Sequence, residues 1–222
     1  MGVAAAFPPK IASDRRAGDN LRKQRPEKTM SDQPSLPTED DLKKLPLLAI
    51  VACAVRCARR AQPIFAAIPN LATHGAAVEQ AISFAERFCV GKDLNAAVDA
   101  AERAAERAAD AAAVARQFAG GNAAALAAGA AQAAAQATAA VEDSWADPNT
   151  ADRVVRAATY ASGRASRAVA ADRCAAVSAA ARADYDRLRS LNLGTYPDLG
   201  QPIDPTETGP LGPLWPEGLP EW

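Results

Sequence analysis

The chain has 222 residues, about a quarter of them alanine, with aromatic residues at only 5% and a formal net charge of −1. That composition excludes a strand-built fold, because the strongest helix former dominates and the alternating β-branched runs that specify strands are missing. The near-neutral charge gives no field that would recruit polyanions, and the 4 cysteines are too few and too embedded in apolar pattern for a secreted disulfide framework, so a reducing cytoplasm is the expected compartment.

Residues 1–29 carry seven Lys or Arg, three acids and three prolines with no apolar period, which predicts disorder. Met30 begins an ordinary cytoplasmic start, Met-Ser-Asp-Gln-Pro-Ser, so a mis-assigned start upstream is the favoured explanation and residues 1–29 are expected to be dispensable. The other reading is a short basic arm that touches anionic surfaces. No secretory leader is expected, since Pro8, Pro9 and Asp14 interrupt the little apolar sequence present.

Thr38 followed by Glu39, Asp40 and Asp41 predicts a helix N-terminus, with a capping hydroxyl and acids that complement the helix dipole. Pro46 should kink or restart this helix, which then runs to about Ala61 and is ended by Pro63. Ile64, Phe65 and Ile68 are expected to pin the corner, and Thr73 to open a second helix whose buried face is Val78, Ala81, Ile82, Ala85 and Phe88 or Cys89. Gly91 is its expected left-handed terminator.

A third helix is predicted from Asp93 to about Ala119. Asp99, Glu102, Arg103, Glu106, Arg107 and Asp110 share one solvated stripe there, opposite Leu94, Val98, Ala101, Ala105, Ala108 and Ala112. Gly120 and Gly121 should stop it and Asn122 cap a fourth, to about Glu142. That helix bears no charge before its end, so it is the candidate for the most enclosed element. After a break at 147–150, a long fifth helix is expected from Ala151 to Leu188 or Ser190, with a possible interruption at Gly163.

From Leu191 onward Gly, Pro and Thr alternate with Leu and Trp, so turns and polyproline II are the accessible conformations. The predicted fold is therefore all-α, an Ala-rich antiparallel bundle of about five helices over residues 38–190, between a disordered arm (1–37) and a Pro-rich irregular tail (191–222). No membrane span is expected. The apolar run 45–55 is about half the roughly 20 residues required, and 117–141 is long enough but almost devoid of Leu, Ile and Phe.

A single histidine, His74, leaves neither a nucleophile triad nor a two-histidine metal site, and no phosphate-loop, dinucleotide or nucleophile-elbow motif occurs. No catalytic residue, cofactor or metal is expected. Cys53 and Cys57 share a helix face and could pinch a metal only if Cys89 and Cys174 converged on them; small buried residues at close helix crossings are the favoured reading. On the last helix Arg153, Arg156, Arg164 and Arg167 form a basic stripe with Tyr160 between them, a candidate partner-binding surface set against the commoner solvated face. Trp215 and Trp222 in the tail are the other candidates, since indoles are poorly accommodated in water. Docking back over the bundle by way of Leu193, Tyr196, Leu199 and Ile203 is favoured, with docking on a partner as the alternative.

Two segments carry a family resemblance: Cys57-Ala58-Arg59-Arg60-Ala61-Gln62-Pro63-Ile64-Phe65, and the Ala-rich helix Ala77-Val78-Glu79-Gln80-Ala81-Ile82-Ser83-Phe84-Ala85 with its following Gly and two further Ala-rich helices. In this order they resemble the all-helical Imm-five-like immunity proteins of bacterial polymorphic toxin systems, over about residues 47–141. Members of that family tend to carry histidines in the later helices, whereas the Gly129 region here has none, so no functional residue is transferred. The resemblance implies a cytoplasmic protein that neutralises or escorts a protein partner, a toxin or effector, by surface complementarity. An anion- or nucleic-acid-binding module that uses the arginine stripe is the alternative.

Overall fold

The computed structural model describes residues 35–92, 97–118, 121–147, 150–169, 173–216 and 218, all within the unit Gln33–Trp222. Among the described residues the regular elements are all helical: α1 (Glu39–Leu42), α2 (Leu47–Ala66), α3 (Ala72–Cys89), α4 (Ala97–Ala115), α5 (Gly121–Ala146), α6 (Ala151–Ala168) and α7 (Cys174–Ser190), with a 3-10 turn at Pro69–Leu71. Residues 1–34 of the arm, with the proposed start at Met30, and Asp93 lie outside the described residues; residues 35–37, expected to be disordered, instead pack on the bundle, with Pro37 buried, Leu36 against the core and Ser35 O accepting from Arg182 Nε at 3.3 Å.

The local signals act as their chemistry requires. Thr38 and Asp41 form a reciprocal capping box, each side-chain oxygen accepting from the other residue's backbone N–H, at 3.1 and 3.3 Å. Pro46 occupies the cap position of α2, and Gly91 ends α3 with φ +77°, a conformation that costs glycine nothing. Phe65 is buried at the corner, with Ile64 and Ile68 packed against the core.

Four boundaries differ from expectation. Pro63 does not end α2 but lies inside its last turn, where the missing N–H removes one bond just before the helix stops at Ala66. Helix α3 starts at Ala72 from the 3-10 turn, with no side-chain cap, so Thr73 is already helical. Gly121 is the first residue of α5, which places Asn122 within the helix, and α5 runs on to Ala146. The expected single fifth helix is two: Gly163 is accommodated inside α6, and the chain turns six residues later, where Val169 becomes extended.

Helices α2, α3, α4 and α5 pack in a ring, each against the next and α5 back against α2. The short α2–α3, α4–α5 and α5–α6 connections between helices in contact make those pairs antiparallel. Helix α6 lies in the groove between α2 and α5, and α7 lies over α2 and α6. The core is mostly Ala from α4, α5 and α6, with Leu47, Leu48, Ile50, Val51 and Val55 of α2 supplying the larger side chains. Each buried methyl contributes on the order of 1 kcal/mol, so close helix approach does the stabilising. Helix α5, without charge until Glu142, is enclosed by four neighbours as its sequence suggests, but it shares the centre with α2, which is buried on all sides from Leu47 to Ala58.

The tail runs back along α2. The Asp198 and Leu199 carbonyls accept from Leu47 and Leu48 N–H at 2.9 and 3.0 Å, satisfying amides that Pro46 cannot cap. A Cβ on Gly200, where φ is +82°, would stand 2.5 Å from Pro46 Cβ, so glycine is required for that approach. Ile203 N–H then donates to Cys89 O at 2.8 Å, and Ile203, Leu211 and Trp215 are buried. Trp222 lies outside the described residues.

Candidate functional site

Helices α4 and α6 each pack along α5, with no comparable contact between them, so a strip of α5 lies open at the bottom of a groove of about 590 Å³. The sequence periodicity dictates what lines it. The outward stripe of α4 contributes Glu102 and Glu106 with Ala105 and Ala109; α5 contributes Gln132 and Gln136, one turn apart, with Ala139 and Ala140; α6 contributes Arg153, Arg156, Ala157 and Tyr160. One wall is thus acidic, the other basic, and the floor is Ala with two amides. Tyr160, at 60% exposed, is the large hydrophobic residue left in water among the described residues.

Of the sequence-predicted stripe, Arg153, Arg156 and Tyr160 reach this groove and two arginines do not. Arg153 Nη1 is paired with Asp143 at 2.6 Å. Arg164 is drawn away over α5, where a Cβ on Gly129 would stand 2.0 Å from its Nη1, and its guanidinium lies 5.7 Å from the Tyr160 ring centroid. Arg167, a turn further on, donates its Nε–H to Gly163 O at 3.1 Å. Arg153 and Arg156 therefore line the groove, while Arg164 and Arg167 lie beyond it along α6.

Trp215 is buried, with the Arg60 guanidinium 5.7 Å from its ring centroid. Arg60 belongs to a second cluster, formed where α2, α7 and the tail meet. Arg56 and Arg60, one turn apart and both fully buried, flank Asp184 of α7, with Arg56 Nε to Oδ1 at 2.9 Å and Arg60 Nη2 to Oδ2 at 2.7 Å. These are charge contacts whose N–H directions miss hydrogen-bond alignment. The aligned acceptors are tail carbonyls: Arg56 Nη1 donates to Pro205 O and Gly212 O at 3.0 and 2.9 Å, Arg56 Nη2 to Pro213 O at 2.7 Å, and Arg60 Nε to Leu214 O at 2.8 Å.

The third arginine of this run, Arg59, turns to α3 and holds Glu86 and Glu79 at 2.6 to 2.8 Å together with Gln62, which also bonds Glu79. That contact with Arg59 holds the Glu79 carboxyl down at about 2. At the tail's other end Tyr196 Oη donates to Asp152 at 2.6 Å. This bond, ahead of the Lys43 contact, holds Asp152 below the ordinary carboxylate value, while burial and then Asp152 push the Tyr196 phenol up.

The cysteines do not meet as a set. Cys53 and Cys57 face Leu42, Ala158 and Ala181, Cys89 lies against Leu48 O, and Cys174 against Ser166 Oγ. Burial pushes the Cys57 thiol up to about 11 and Cys53 well above its usual value. Among the described residues no three His, Cys, Asp or Glu side chains are grouped to hold a metal, and no helix is long and apolar enough to cross a membrane. His74, half-buried in the first turn of α3, lies with Nδ1 3.1 Å from the hydroxyl of its neighbour Thr73.

Comparison of the chain with protein-family models, curated proteins and solved structures finds no match.

Sequence reasoning missed the acidic wall and both glutamines, reading Glu102 and Glu106 only as a solvated stripe. The available signal was Gln132 and Gln136 at one-turn spacing in an Ala-rich helix, with Asp143 two turns beyond Gln136 on the same face. It also missed Arg56, Arg60 and Asp184, for which the signal was two arginines one turn apart in an apolar run.

Proposed function

We propose that this chain is a non-enzymatic helical interaction module, immunity-like or an adaptor, that binds a protein partner in the groove formed by α4, α5 and α6. The carrying observation is the pairing of an acidic wall, Glu102 and Glu106, with a basic wall, Arg153 and Arg156, across an Ala and Gln floor, beside an exposed Tyr160. Opposed signs suit a partner helix that carries both charges and small residues on its buried side, because such complementarity sets orientation and rejects mismatched partners. A polyanion would meet the acidic wall at once, and Arg153 is already committed to Asp143. The resemblance of residues 47–141 to immunity proteins supports the same reading.

The test places a photo-crosslinking residue at Gln136, with Arg187 of α7, exposed and not lining the groove, as control position. The expected result is one protein adduct, identified by mass spectrometry, that forms a stoichiometric complex when both proteins are purified. Tyr160→Ala with Arg156→Glu should abolish it while helicity stays unchanged. An adduct indifferent to those substitutions, or nucleic-acid binding that weakens steeply with salt, would contradict the proposal.

A further inference from the structure

The Arg56, Arg60 and Asp184 cluster is not neutral. Two guanidiniums face one carboxylate, all at or below 4% side-chain exposure, so one positive charge is buried in excess. Its compensation comes from four carbonyls of one contiguous stretch of tail, Pro205 to Leu214. Carbonyls are dipoles and cannot cancel a full charge, which a hydrogen-bonded carboxylate does. Three buried donors lack an aligned hydrogen bond: Arg56 Nε and Arg60 Nη2 lie against Asp184 as charge contacts, and Arg60 Nη1 has no hydrogen-bond partner. The covering stretch, residues 203–215, has neither helix nor strand and lies outside the helical ring. Its backbone is tied to the helices by Ile203 N–H to Cys89 O and by the guanidinium bonds, and its side chains Ile203, Leu211 and Trp215 are buried. A segment with no helix or strand hydrogen bonds of its own can open locally at lower free energy than the whole fold.

We propose that Arg56 and Arg60 form a carboxylate-binding site that residues 203–215 keep closed. Opening of that strap removes the acceptors of Arg56 Nη1 and Nη2, which form one fork, and of Arg60 Nε, which adds a single donor beside it, while the unpartnered Arg60 Nη1 lies on the other edge of its guanidinium. The charge arithmetic selects the ligand: a carboxylate of charge −1 makes the cluster neutral, whereas a phosphate dianion overshoots. An acidic side chain or a chain terminus is the ligand class, and the tail competes with it. The inference is independent of the α4–α5–α6 groove and stands or falls without it.

The test titrates the full chain with acetate, ionic strength being held constant with chloride, and follows the arginine Nε–H resonances of Arg56 and Arg60. Because a mostly closed site lowers apparent affinity by the fraction open, Leu211→Ala with Trp215→Ala should tighten acetate binding about tenfold or more over wild type. Adding Arg60→Gln should remove the binding, and inorganic phosphate should bind more weakly than acetate. Unchanged acetate affinity in the double variant with its helicity intact would overturn the proposal, and stronger binding of phosphate would overturn its carboxylate assignment. Should the double variant lose helicity, amide exchange in wild type decides. Acetate should accelerate exchange at Ile203 N–H and leave the α2 amides unaffected, whereas a rate at Ile203 independent of acetate would overturn the strap.

Discussion

Arg56 and Arg60 are the residues on which the fold depends most sharply, because a buried charge is tolerable only while its counter-charges stay in place. Asp184→Asn keeps the shape and removes the one full negative charge. It should destabilise the protein by about 3–5 kcal/mol, as breaking a buried pair does, against less than about 1 kcal/mol for an exposed pair such as Arg153 and Asp143. Urea denaturation of Asp184→Asn and Asp143→Asn gives both values; equal small losses would contradict the account. The Arg59 and Glu79 pair gives a pH dependence with a definite sign. Glu79 has an ordinary value of 4.5 and is held at about 2 in the folded protein, so its contribution is complete above about pH 4.5 and is lost as pH falls toward 2. Melting temperature followed from pH 6 to pH 2 should fall less steeply in Glu79→Gln than in wild type, and parallel curves would remove Glu79 from the acid response. Little of this was legible in the sequence. The carbonyl that Arg56 Nη1 bonds at Pro205 lies 149 residues away, and no local pattern encodes a contact at that separation.

At the scale of single helices the sequence was far more informative, because starts and stops are set by neighbours a few residues apart. Thr38 with Asp41, Pro46 as a restart and the left-handed Gly91 could all be read, and so could the buried face of α3 and, in α4, the buried Ala101, Ala105, Ala108 and Ala112. The failures have physical causes. Proline near a helix end costs one hydrogen bond rather than the helix, so Pro63 did not stop α2. Glycine inside a helix lowers its stability by only about 1 kcal/mol, which packing of α6 on α2 and α5 overrides, so Gly163 did not break it. A Cβ at Gly75 or Gly163 would meet no atom within 4 Å, so Gly75→Ala and Gly163→Ala should each stabilise by about 0.5–1 kcal/mol. Gly91→Ala should instead destabilise by about 1 kcal/mol or more, since φ is +77° and Pro202 Cγ stands 3.3 Å from the new methyl. Thermal unfolding of the three variants checks the opposite signs, and stabilisation by Gly91→Ala would show that the tail does not hold its position against α3.

At the scale of the whole molecule, an Ala-rich helical core was legible from composition, but its arrangement was not. The sequence shows an α5 without charge until Glu142 and suggests enclosure; it does not show that α4 and α6 flank α5 with no comparable contact to each other, which is what makes the groove. The acidic and basic stripes were each visible as exposed faces, and only tertiary packing sets them opposite one another. The tail is the other whole-molecule feature, and it makes the central physical claim. Its carbonyls cap the start of α2 and bond the buried guanidiniums, and Ile203, Leu211 and Trp215 bury apolar surface at about 1.5–3 kcal/mol each before unfolded-state compaction is discounted. The most direct test is the melting temperature of a chain ended at Leu193, measured beside the full chain with helicity recorded for both. With each 1 kcal/mol worth about 2–4 °C at this size, the account predicts a bundle that stays helical and melts about 10 °C lower. An unchanged melting temperature would contradict it and leave the tail a spacer with no part in holding the fold.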